Sequence, residues 1–345
     1  CAFPAICITS SGRCLCSFRS APTKSATAGQ HVVLCYSDDE GKTWSSPAEP
    51  FAAPPTEDGA AGTLRTGHVT PLNDGRLLTV LSWVEFPDDS RPFFNEQTEG
   101  LLDTRVCLSF SNDNGEHWSP ARFMAPRPFA VPSPTTGPVI CLADGGLICQ
   151  VELNKPYDDP TPWRHQSVLV FSRDGGATWT EQCVVSDDPT RRIFYWDQRL
   201  GNLGDDGLLD VFWTFDREAG KYLNIHARRS SDGGRQWSEL WDIEVPGQPA
   251  APVKLHDGRI ALVYVDRTGV PCIKLRTSSD EGRNWPETTE TMIFESTRPK
   301  SAAGSQSMQE AWDEMYAFSL GLPATAKLPG GDLLVVFYEG PSGDC

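Results

Sequence analysis

The sequence of 345 residues predicts an all-β protein, a six-bladed β-propeller of four-stranded antiparallel blades. Three observations predict this class. A glycine turn between two strand-like segments occurs six times, and an eight-residue motif containing aspartate and tryptophan occurs five times. Almost no segment has the apolar periodicity of an amphipathic helix. We therefore expect residues 1–345 to form a single propeller domain whose last blade is incomplete.

The first two strands of each blade, A and B, are predicted from the glycine turns. Each turn follows a short strand-like run and precedes a β-rich run, as in the stretch around Asp144 and Gly145. Glycine suits such a turn because it adopts positive φ without strain. The turn glycines are Gly12, Gly75, Gly145, Gly207, Gly258 and Gly331.

The third and fourth strands, C and D, are predicted from the motif S-x-D-x-G-x-x-W. Its aspartate can accept hydrogen bonds from backbone N–H groups across a turn, and its glycine supplies the left-handed conformation that closes the turn. Its tryptophan opens the next strand. The sixth repeat has no such motif, so only its A and B strands are expected. The five copies begin at Ser37, Ser111, Ser172, Ser230 and Ser278.

These motifs resemble the Asp boxes of the sialidase superfamily over nearly the whole chain. The resemblance implies a catalytic face opposite the Asp boxes, where A strands begin and B strands end. It also implies an arginine triad, an aspartate acid/base and a tyrosine nucleophile paired with a glutamate. Here Ala2 stands at the place of the first arginine, the loop 20–30 contains no acid, and Leu322 stands at the place of the tyrosine. Only the ending Tyr338-Glu339 of the last B strand matches, so we expect a substrate other than an ordinary sialoside.

Charged residues supply the candidates for catalysis. We predict catalytic carboxylates at Glu85, Asp197, Asp216 and Glu339, because two carboxylates flanking a pocket are the usual means of cleaving a glycosidic bond. His68 is a candidate general base, and the alternative is a hydrogen-bonded structural histidine. A charged strand end also occurs simply because it reaches water, so an ordinary solvated rim is the alternative for the acids. The residues that end the six B strands are Arg19, Glu85, Glu152, Asp216, Asp266 and Glu339.

Three arginines are candidates for binding a substrate carboxylate. Arg65, Arg199 and Arg267 lie at the starts of A strands or just after a B strand. Guanidinium groups bind carboxylates in a bidentate manner. The alternative is that each arginine neutralises a rim carboxylate, as Arg267 would do for Asp266.

Aromatic residues on the same face are candidates for stacking against sugar rings. Trp196 and Tyr338 are predicted to bind substrate in this way, and packing in the aromatic core is the alternative. The stretch around Trp312 is predicted to form a rim or lid.

Composition restricts the partners. Asp and Glu outnumber Lys and Arg by 46 to 30, which gives a formal charge of −16 and disfavours nucleic acid. The longest apolar runs are too short to span a membrane, and no cofactor or metal signature is present, although a cation among the rim carboxylates stays an alternative. We expect a monomer that binds a carbohydrate ligand. The arginines favour an anionic sugar as this ligand.

The leading hypothesis is therefore a glycoside hydrolase that acts on an acidic or uronate-type sugar. The alternatives are a non-catalytic propeller that binds glycan or protein, and a uronate lyase that uses His68 or a tyrosine as base. The eleven cysteines lack zinc spacing and are interpreted as buried free thiols. They favour a cytoplasmic location, while secretion or a lipid anchor at Cys1 stays open, so localisation is unknown.

Overall fold

The computed structural model describes residues 1–86, 91–297 and 319–340. The chain there is all-β, as predicted, and the helical content is one 3₁₀ turn, Glu287–Thr289. No helix of this part of the chain is long and apolar enough to cross a membrane. The predicted lid around Trp312 lies outside the described residues.

The repeats fold into consecutive antiparallel sheets, and we call the first five of them blades one to five. Blade one contains β1 (Ala2–Ile8), β2 (Cys14–Ser20) and β3 (His31–Ser37), and a bridge from Leu34 to Ala48 adds a fourth segment. Blade two contains β4 (Gly62–Pro71), β5 (Leu77–Glu85), β8 (Thr104–Ser111) and β9 (Arg122–Phe123), with a separate small hairpin of β6 (Phe94–Asn95) and β7 (Gly100–Leu101) between β5 and β8. Blade three contains β10 (Ile140–Cys141), β11 (Leu147–Leu153), β12 (Gln166–Ser172) and β13 (Glu181–Asp187).

Blades four and five carry one additional short strand each. Blade four contains β14 (Ile193–Gly204), β15 (Gly207–Asp216), β16 (Lys221–Tyr222), β17 (His226–Ser230) and β18 (Trp241–Asp242). Blade five contains β19 (Gln248–Pro249), β20 (Val253–Lys254), β21 (Ile260–Asp266), β22 (Cys272–Ser278) and β23 (Thr291–Glu295).

The last repeat differs from the predicted blade count. It forms a two-stranded sheet of β24 (Leu320–Lys327) and β25 (Leu333–Glu339), so the described chain has five blades and not six. The described part of this repeat, residues 319–340, supplies one hairpin where a blade needs two. In the structure β24 packs against β1 of blade one and against β21 of blade five.

The five Asp boxes form the predicted hairpins with one repeated set of hydrogen bonds. In blade three the Ser172 hydroxyl donates to Asp174 Oδ1 over 2.8 Å, and the backbone N–H of Thr178 donates to the same oxygen over 2.8 Å. The N–H of Gly176 donates to Ser172 Oγ over 2.9 Å, and Trp179 Nε1 donates to the Gly176 carbonyl over 3.2 Å. The other four copies have the same four hydrogen bonds.

One predicted turn residue is wrong. The A–B turn of blade four has positive φ at Gly204 (83°), Asp205 (51°) and Asp206 (58°), whereas Gly207 pairs with Gly204 across the hairpin. Aspartate tolerates this conformation because its short polar side chain can hydrogen-bond locally. The strand register therefore places the turn two residues earlier than the glycine suggests.

The hydrophobic core lies between neighbouring blades. Between blades two and three, Leu78 and Val80 of β5 pack in one cluster with Val151, Val168 and Val170. All of these side chains are buried to at least 99%. Each fully buried aliphatic side chain contributes about 2 kcal/mol relative to an exposed one, so the blade faces supply most of the stabilisation. The inner strands of the sheets line the centre of the propeller.

Candidate functional site

A cavity of about 260 Å³ lies where the inner strands of the sheets meet. This volume is close to the lower limit of ligand sites, roughly 300 Å³, and suits a small ligand. Every sheet contributes at least one residue to its wall. Representative lining residues are Ala2, Arg65, Glu152, Asp197, Gln248 and Tyr338.

Bulges in four inner strands aim side chains into this cavity. The pairing of β1 with β2 shifts register between Ala2 and Ala5, and the corresponding shifts in β4, β14 and β24 lie at equivalent levels. A bulge bends the strand and re-aims a side chain, often beside a functional site. The non-glycine residues Phe3, Asp197 and Leu322 have positive φ of 53°, 55° and 46° there, and all three line the cavity. Arg65 is the corresponding extra residue of β4.

The cavity wall is basic although the chain is acidic. Four cationic side chains, Arg19, Lys24, Arg65 and Arg199, line it together with two carboxylates, Asp197 and Glu152. Four positive charges against two negative charges leave an excess of two positive charges in a chain whose formal charge is −16. A low-dielectric cleft of one sign concentrates ligands of the opposite sign, so the cavity favours an anion.

Asp197 lies at the centre of the polar part of the site. Its Oδ1 is 3.0 Å from Nη2 of Arg199, and its Oδ2 accepts a short hydrogen bond from Nε2 of Gln248. Burial raises the pKa of the Asp197 carboxyl above its ordinary value, and the negative charge of Glu152 adds to this, whereas Arg199 and Gln248 act in the opposite direction. A carboxyl with a raised pKa can hold a proton and donate it.

A network of hydrogen bonds connects Asp197 to blade five and to the last sheet. Arg267 Nη1 donates to Gln248 Oε1 over 3.0 Å, while the other end of this amide binds Asp197. Arg267 is also hydrogen-bonded to the phenol of Tyr338 and donates from Nε to the carbonyl of Leu320 over 3.0 Å. Arg267 therefore stands behind the cavity wall and acts on Asp197 through Gln248.

Glu152 is the second carboxylate of the cavity and the neighbour of Asp197. Its Oε1 accepts a hydrogen bond from the backbone N–H of Gln198 over 3.2 Å, which places it beside the residue that follows Asp197. Its Oε2 is 3.5 Å from Nε2 of His165, a ring that is 1% exposed. Glu152 thus bridges blades three and four at the floor of the site.

His68 and the aromatic residues complete the wall. His68 makes no hydrogen bond to another described side chain or backbone group, which argues against the structural alternative. Burial lowers the pKa of His68 to about 3, and the nearby Arg199 charge contributes, so the ring is neutral. Trp196 lines the cavity but is also stacked with Phe194 and Phe215, with ring centroids 5.7 and 5.3 Å away, so the core-packing alternative applies to most of this side chain.

Asp210 is a buried acid close to this site that the sequence did not single out. It lies on β15 opposite Leu200, has no exposed surface, and neither carboxyl oxygen has a hydrogen-bonding partner of normal geometry among the described residues. Burial raises the pKa of Asp210 well above its ordinary value, and the charge of Glu152 adds to this. The side chain is therefore held as a neutral acid.

Six of the predicted site residues lie together at the cavity wall. They are Arg65, His68, Trp196, Asp197, Arg199 and Tyr338. Arg199 forms an ion pair with Asp197, as the neutralising alternative proposed, while Arg65 stacks on the ring of Phe93 at 4.3 Å. Arg267 does not neutralise Asp266, because Lys274 Nζ takes that place at 3.0 Å from Asp266 Oδ2.

Three predicted catalytic acids do not reach the described cavity wall. Glu85 pairs with Gly62, Asp216 with Ile193 and Glu339 with Leu320, so all three lie beyond the bulges at the ends of their strands. The prediction that these acids share one pocket with Asp197 is therefore wrong. Each B strand continues past the level at which the neighbouring A strand directs its side chains into the cavity.

The side-chain contacts of Asp216 and Glu339 are structural. Arg192 binds Asp216 through Nη2 at 2.7 Å, and this arginine lowers the pKa of Asp216 below its ordinary value. Ser296 donates to Glu339 Oε1 over 2.9 Å, and Glu339 is exposed. Arg267 is also absent from the described residues that line the cavity. It lies behind them and donates a hydrogen bond to Gln248.

Sequence reasoning missed Lys24 and Gln248. Lys24 belongs to the loop 20–30 that attracted notice only because it has no acid, yet its Nζ lies 4.3 Å from the centre of the Tyr338 ring. Gln248 carries no titratable group and follows no motif, so only the structure identifies it. At the three places where the sialidase landmarks differ, the cavity receives Ala2, Lys24 and Leu322.

The arrangement can bind an anion and move a proton beside it. Asp197 offers a carboxyl with a raised pKa, Glu152 offers a second carboxylate, and four cationic side chains line the same wall. Among the described residues, no group of three or more His, Cys, Asp or Glu side chains is placed to hold a metal ion. These are the elements of acid/base chemistry on an acidic ligand.

Comparisons with known proteins agree with this architecture. The family model described as "BNR repeat-like domain" matches residues 93–311, which is more than half of the chain. No curated protein matches the chain by sequence.

Solved structures with the same fold include proteins that act on sialic acid. A protein of unknown function from Dyadobacter fermentans has a TM-score of 0.73 at 19% identity, with 99% of this chain and 91% of that chain covered. The NanB sialidase from Streptococcus pneumoniae has a TM-score of 0.66 at 14% identity, covering 99% of this chain and 65% of its own. The intramolecular trans-sialidase from Ruminococcus gnavus has a TM-score of 0.64 at 12% identity, covering 99% and 90%. This chain therefore spans just under two thirds of the length of the NanB chain.

Proposed function

The chain belongs to the BNR repeat-like domain family and has the sialidase fold, and from this premise we propose that it is a glycoside hydrolase acting on an acidic, uronate-type sugar. Ordinary sialosides are not its substrates in this proposal. The observation that carries the proposal is the charge of the cavity, since four cationic side chains surround the acid pair Asp197 and Glu152 inside a chain of charge −16.

In this proposal Asp197 is the general acid. In this role the carboxyl carries a proton, which its raised pKa favours, and the proton passes to the glycosidic oxygen as the bond to the anomeric carbon breaks. Gln248 and Arg199 hold the two carboxyl oxygens in place. The positive φ of Asp197 is consistent with strain kept at a functional residue.

Glu152 is the second carboxylate in the reaction. In this role its carboxylate either attacks the anomeric carbon or takes a proton from the water that does so. The N–H of Gln198 fixes its position next to Asp197. In the proposal the substrate carboxylate is bound by three other cations that line the cavity, Arg65, Lys24 and Arg19.

Rejection of sialosides follows from the three replaced positions. Ala2 has no charge, Lys24 lies in the loop where a sialidase has its acid, and Leu322 cannot act as a nucleophile. A ligand bound here would meet cations in different places from those of a sialidase site.

A uronate lyase is the second candidate, and one observation favours it. His68 lines the cavity, has no described hydrogen-bonding partner and is neutral, so its ring nitrogen has a lone pair available, while its lowered pKa requires ligand binding to strengthen it as a base. In that reaction His68 removes the proton next to the carboxylate of the uronate, and Asp197 protonates the leaving oxygen. The product carries a carbon–carbon double bond that absorbs ultraviolet light.

We also propose that residues 1–345 act as a single domain and as a monomer. Each sheet supplies at least one residue of the cavity wall, and no second copy is needed to complete it. Light scattering of the purified protein checks this, and a stable dimer would contradict it.

The test is a panel of aryl uronides, neutral aryl glycosides and an aryl sialoside. We expect release of the aryl group from a uronide and not from the sialoside. We expect Asp197→Asn to reduce kcat by at least about 100-fold, because general acid catalysis contributes that much, with little change in Tm. A 4-linked oligouronide is assayed in parallel, because elimination at a uronate needs a leaving sugar on C4. An increase in ultraviolet absorbance with that substrate, without aryl hydrolysis in the panel, would identify the lyase instead.

Asp205→Asn is the matched control, since Asp205 lies at the far end of the same β14–β15 hairpin. It should retain full activity. Binding of uronides without turnover by any variant would replace the enzyme with a glycan-binding propeller. Equal activity of wild type and Asp197→Asn would remove the general acid from the proposal.

A further inference from the structure

Two cysteines of blade one face each other across neighbouring strands. Cys16 of β2 is paired in register with Cys35 of β3, and both are free thiols. In contrast, Cys7 is opposite Leu15 and Cys149 is opposite Val170. Direct cross-strand pairing thus distinguishes Cys16 and Cys35 from these other buried cysteines.

The backbone places the two thiols at a distance that a disulfide can span. The N–H and the carbonyl of Leu34 are hydrogen-bonded to Ala48 on the outer side, so those of Cys35 are directed at β2. Residues of such a hydrogen-bonded antiparallel pair have Cα atoms about 5.5 Å apart. This Cα separation lies within the range of roughly 4.4–6.8 Å for disulfides, and the Cβ atoms of such a pair, about 5 Å apart, must approach to about 4 Å as the bond forms.

The thiols are also in contact and within reach of a small oxidant. Cys35 Sγ is 3.6 Å from the Cys16 carbonyl oxygen, and a hydrogen bond from the Cys16 thiol lowers the pKa of Cys35. Cys16 and Cys35 are 9% and 8% exposed, whereas Cys107 and Cys149 are completely buried. Cys35 is therefore the better nucleophile of the pair, because the thiolate is the reactive form.

We propose that Cys16 and Cys35 form a peroxide-sensitive dithiol site that closes to a disulfide between β2 and β3. The Cys35 thiolate attacks one oxygen of hydrogen peroxide, which gives a sulfenic acid at Cys35 and releases the other oxygen as water after protonation. The Cys16 sulfur then attacks the Cys35 sulfur and loses its proton, and the sulfenic oxygen leaves as a second water. Two thiols are oxidised and one peroxide is reduced.

The cross-link joins the strand that carries part of the cavity wall to its neighbour. Arg19 follows Cys16 by three residues on β2, and its Nε donates to Gln30 Oε1 over 2.8 Å, just before β3 begins. The disulfide closes the loop that contains Lys24. Oxidation is therefore expected to stiffen this side of the cavity wall.

The experiment is oxidation of the full chain with a slight excess of hydrogen peroxide, followed by thiol titration in denaturant and peptide mapping by mass spectrometry. We expect free thiols to fall by two from the eleven of the reduced chain. A linked pair of peptides should contain Cys16 and Cys35, and a reductant should reverse the change. Oxidation of the exposed Cys1 is read separately in the same map.

Cys16→Ser is the test variant and Cys7→Ser its matched control. Cys7 has the same 9% exposure and lies in the same blade, but burial raises the pKa of its thiol to about 12. The linked peptide should disappear in Cys16→Ser and persist in Cys7→Ser. Cys35 found as sulfinic acid with Cys16 still reduced, or a disulfide that includes Cys7 or Cys14, would overturn the proposal.

Discussion

Asp210 shows how a single residue can make the stability of this propeller depend on pH. Its carboxyl is completely buried, lacks a normal hydrogen bond in the described structure, and has a pKa raised well above the ordinary value by burial. The unfolded chain has the ordinary pKa of about 4. Between these two pKa values the unfolded state ionises while the folded state keeps its proton, so the free energy of unfolding falls as pH rises.

Asp210→Asn should therefore change the pH dependence of Tm. The amide cannot ionise, so we expect the variant to gain Tm relative to wild type between pH 5 and pH 8, by at least about 2 °C, the shift that roughly 1 kcal/mol gives. Thermal unfolding followed by circular dichroism at both pH values measures this. Asp205→Asn at the exposed turn should show a constant difference from wild type. A constant difference in Asp210→Asn would contradict the assignment.

At the residue scale the sequence identified the site in part. Asp197 and Arg199 were found because charged residues at the start of an A strand reach the centre of a propeller. Lys24 was missed because a loop carries no periodicity that fixes where its side chains point. Gln248 was missed because an amide has no signature in a motif, although it holds Asp197 in the structure.

At the scale of the element, the Asp-box hairpins depend on a glycine with positive φ. Gly176 has a φ of 89°, and a Cβ at this position would lie 3.3 Å from the ring of Phe110. We expect Gly176→Val to destabilise the protein by roughly 2–3 kcal/mol, because a β-branched residue resists positive φ. The adjacent Ala177→Val is the control, since Ala177 is exposed. Equal Tm values for the two variants would argue against the turn as the cause.

Hairpins were predictable from the sequence because each depends on local residues, whereas bulges were not. The bulge at Asp197 shifts the pairing of β14 with β15, and no residue type in the sequence indicates this bulge. Register decides which side chains face inward. For this reason Asp216 and Glu339, chosen as strand ends, proved to lie beyond the cavity.

At the scale of the whole molecule, the repeated carboxylates of the Asp boxes predict where stability is lost in acid. Hydrogen bonds lower the pKa of Asp39, Asp113 and Asp174 to about 2 in three of the Asp boxes. Groups whose folded pKa lies below the unfolded value contribute stability above about pH 4, and this contribution is lost as pH falls toward 2.

We therefore expect Tm to change little from pH 6 to pH 4 through these groups and to fall steeply between pH 4 and pH 2. Scanning calorimetry across this range is the measurement. Asp174→Asn should flatten the low-pH part of the curve, while Asp158→Asn, an exposed position paired with Arg91, should follow wild type. A Tm that stays constant down to pH 2 would show that protonation of the Asp-box carboxylates is not coupled to unfolding.

The propeller class was predictable at this scale because five motifs in register leave few other folds. The number of blades was not, since a blade requires two hairpins and the last repeat supplies one. Where β24 and β25 pack against their neighbours depends on contacts between distant parts of the chain, which no local pattern encodes.

The bulges of the inner strands have a consequence for how such a protein can change its ligand during evolution. A bulged residue is left out of the cross-strand ladder, so its side chain can be exchanged with little effect on the hydrogen bonds that hold the blade together. Phe3, Arg65, Asp197 and Leu322 occupy these positions and face the cavity. Substitutions at these positions can therefore change ligand specificity with little change in stability. The same fold can then evolve from one ligand to another through variants that all remain folded.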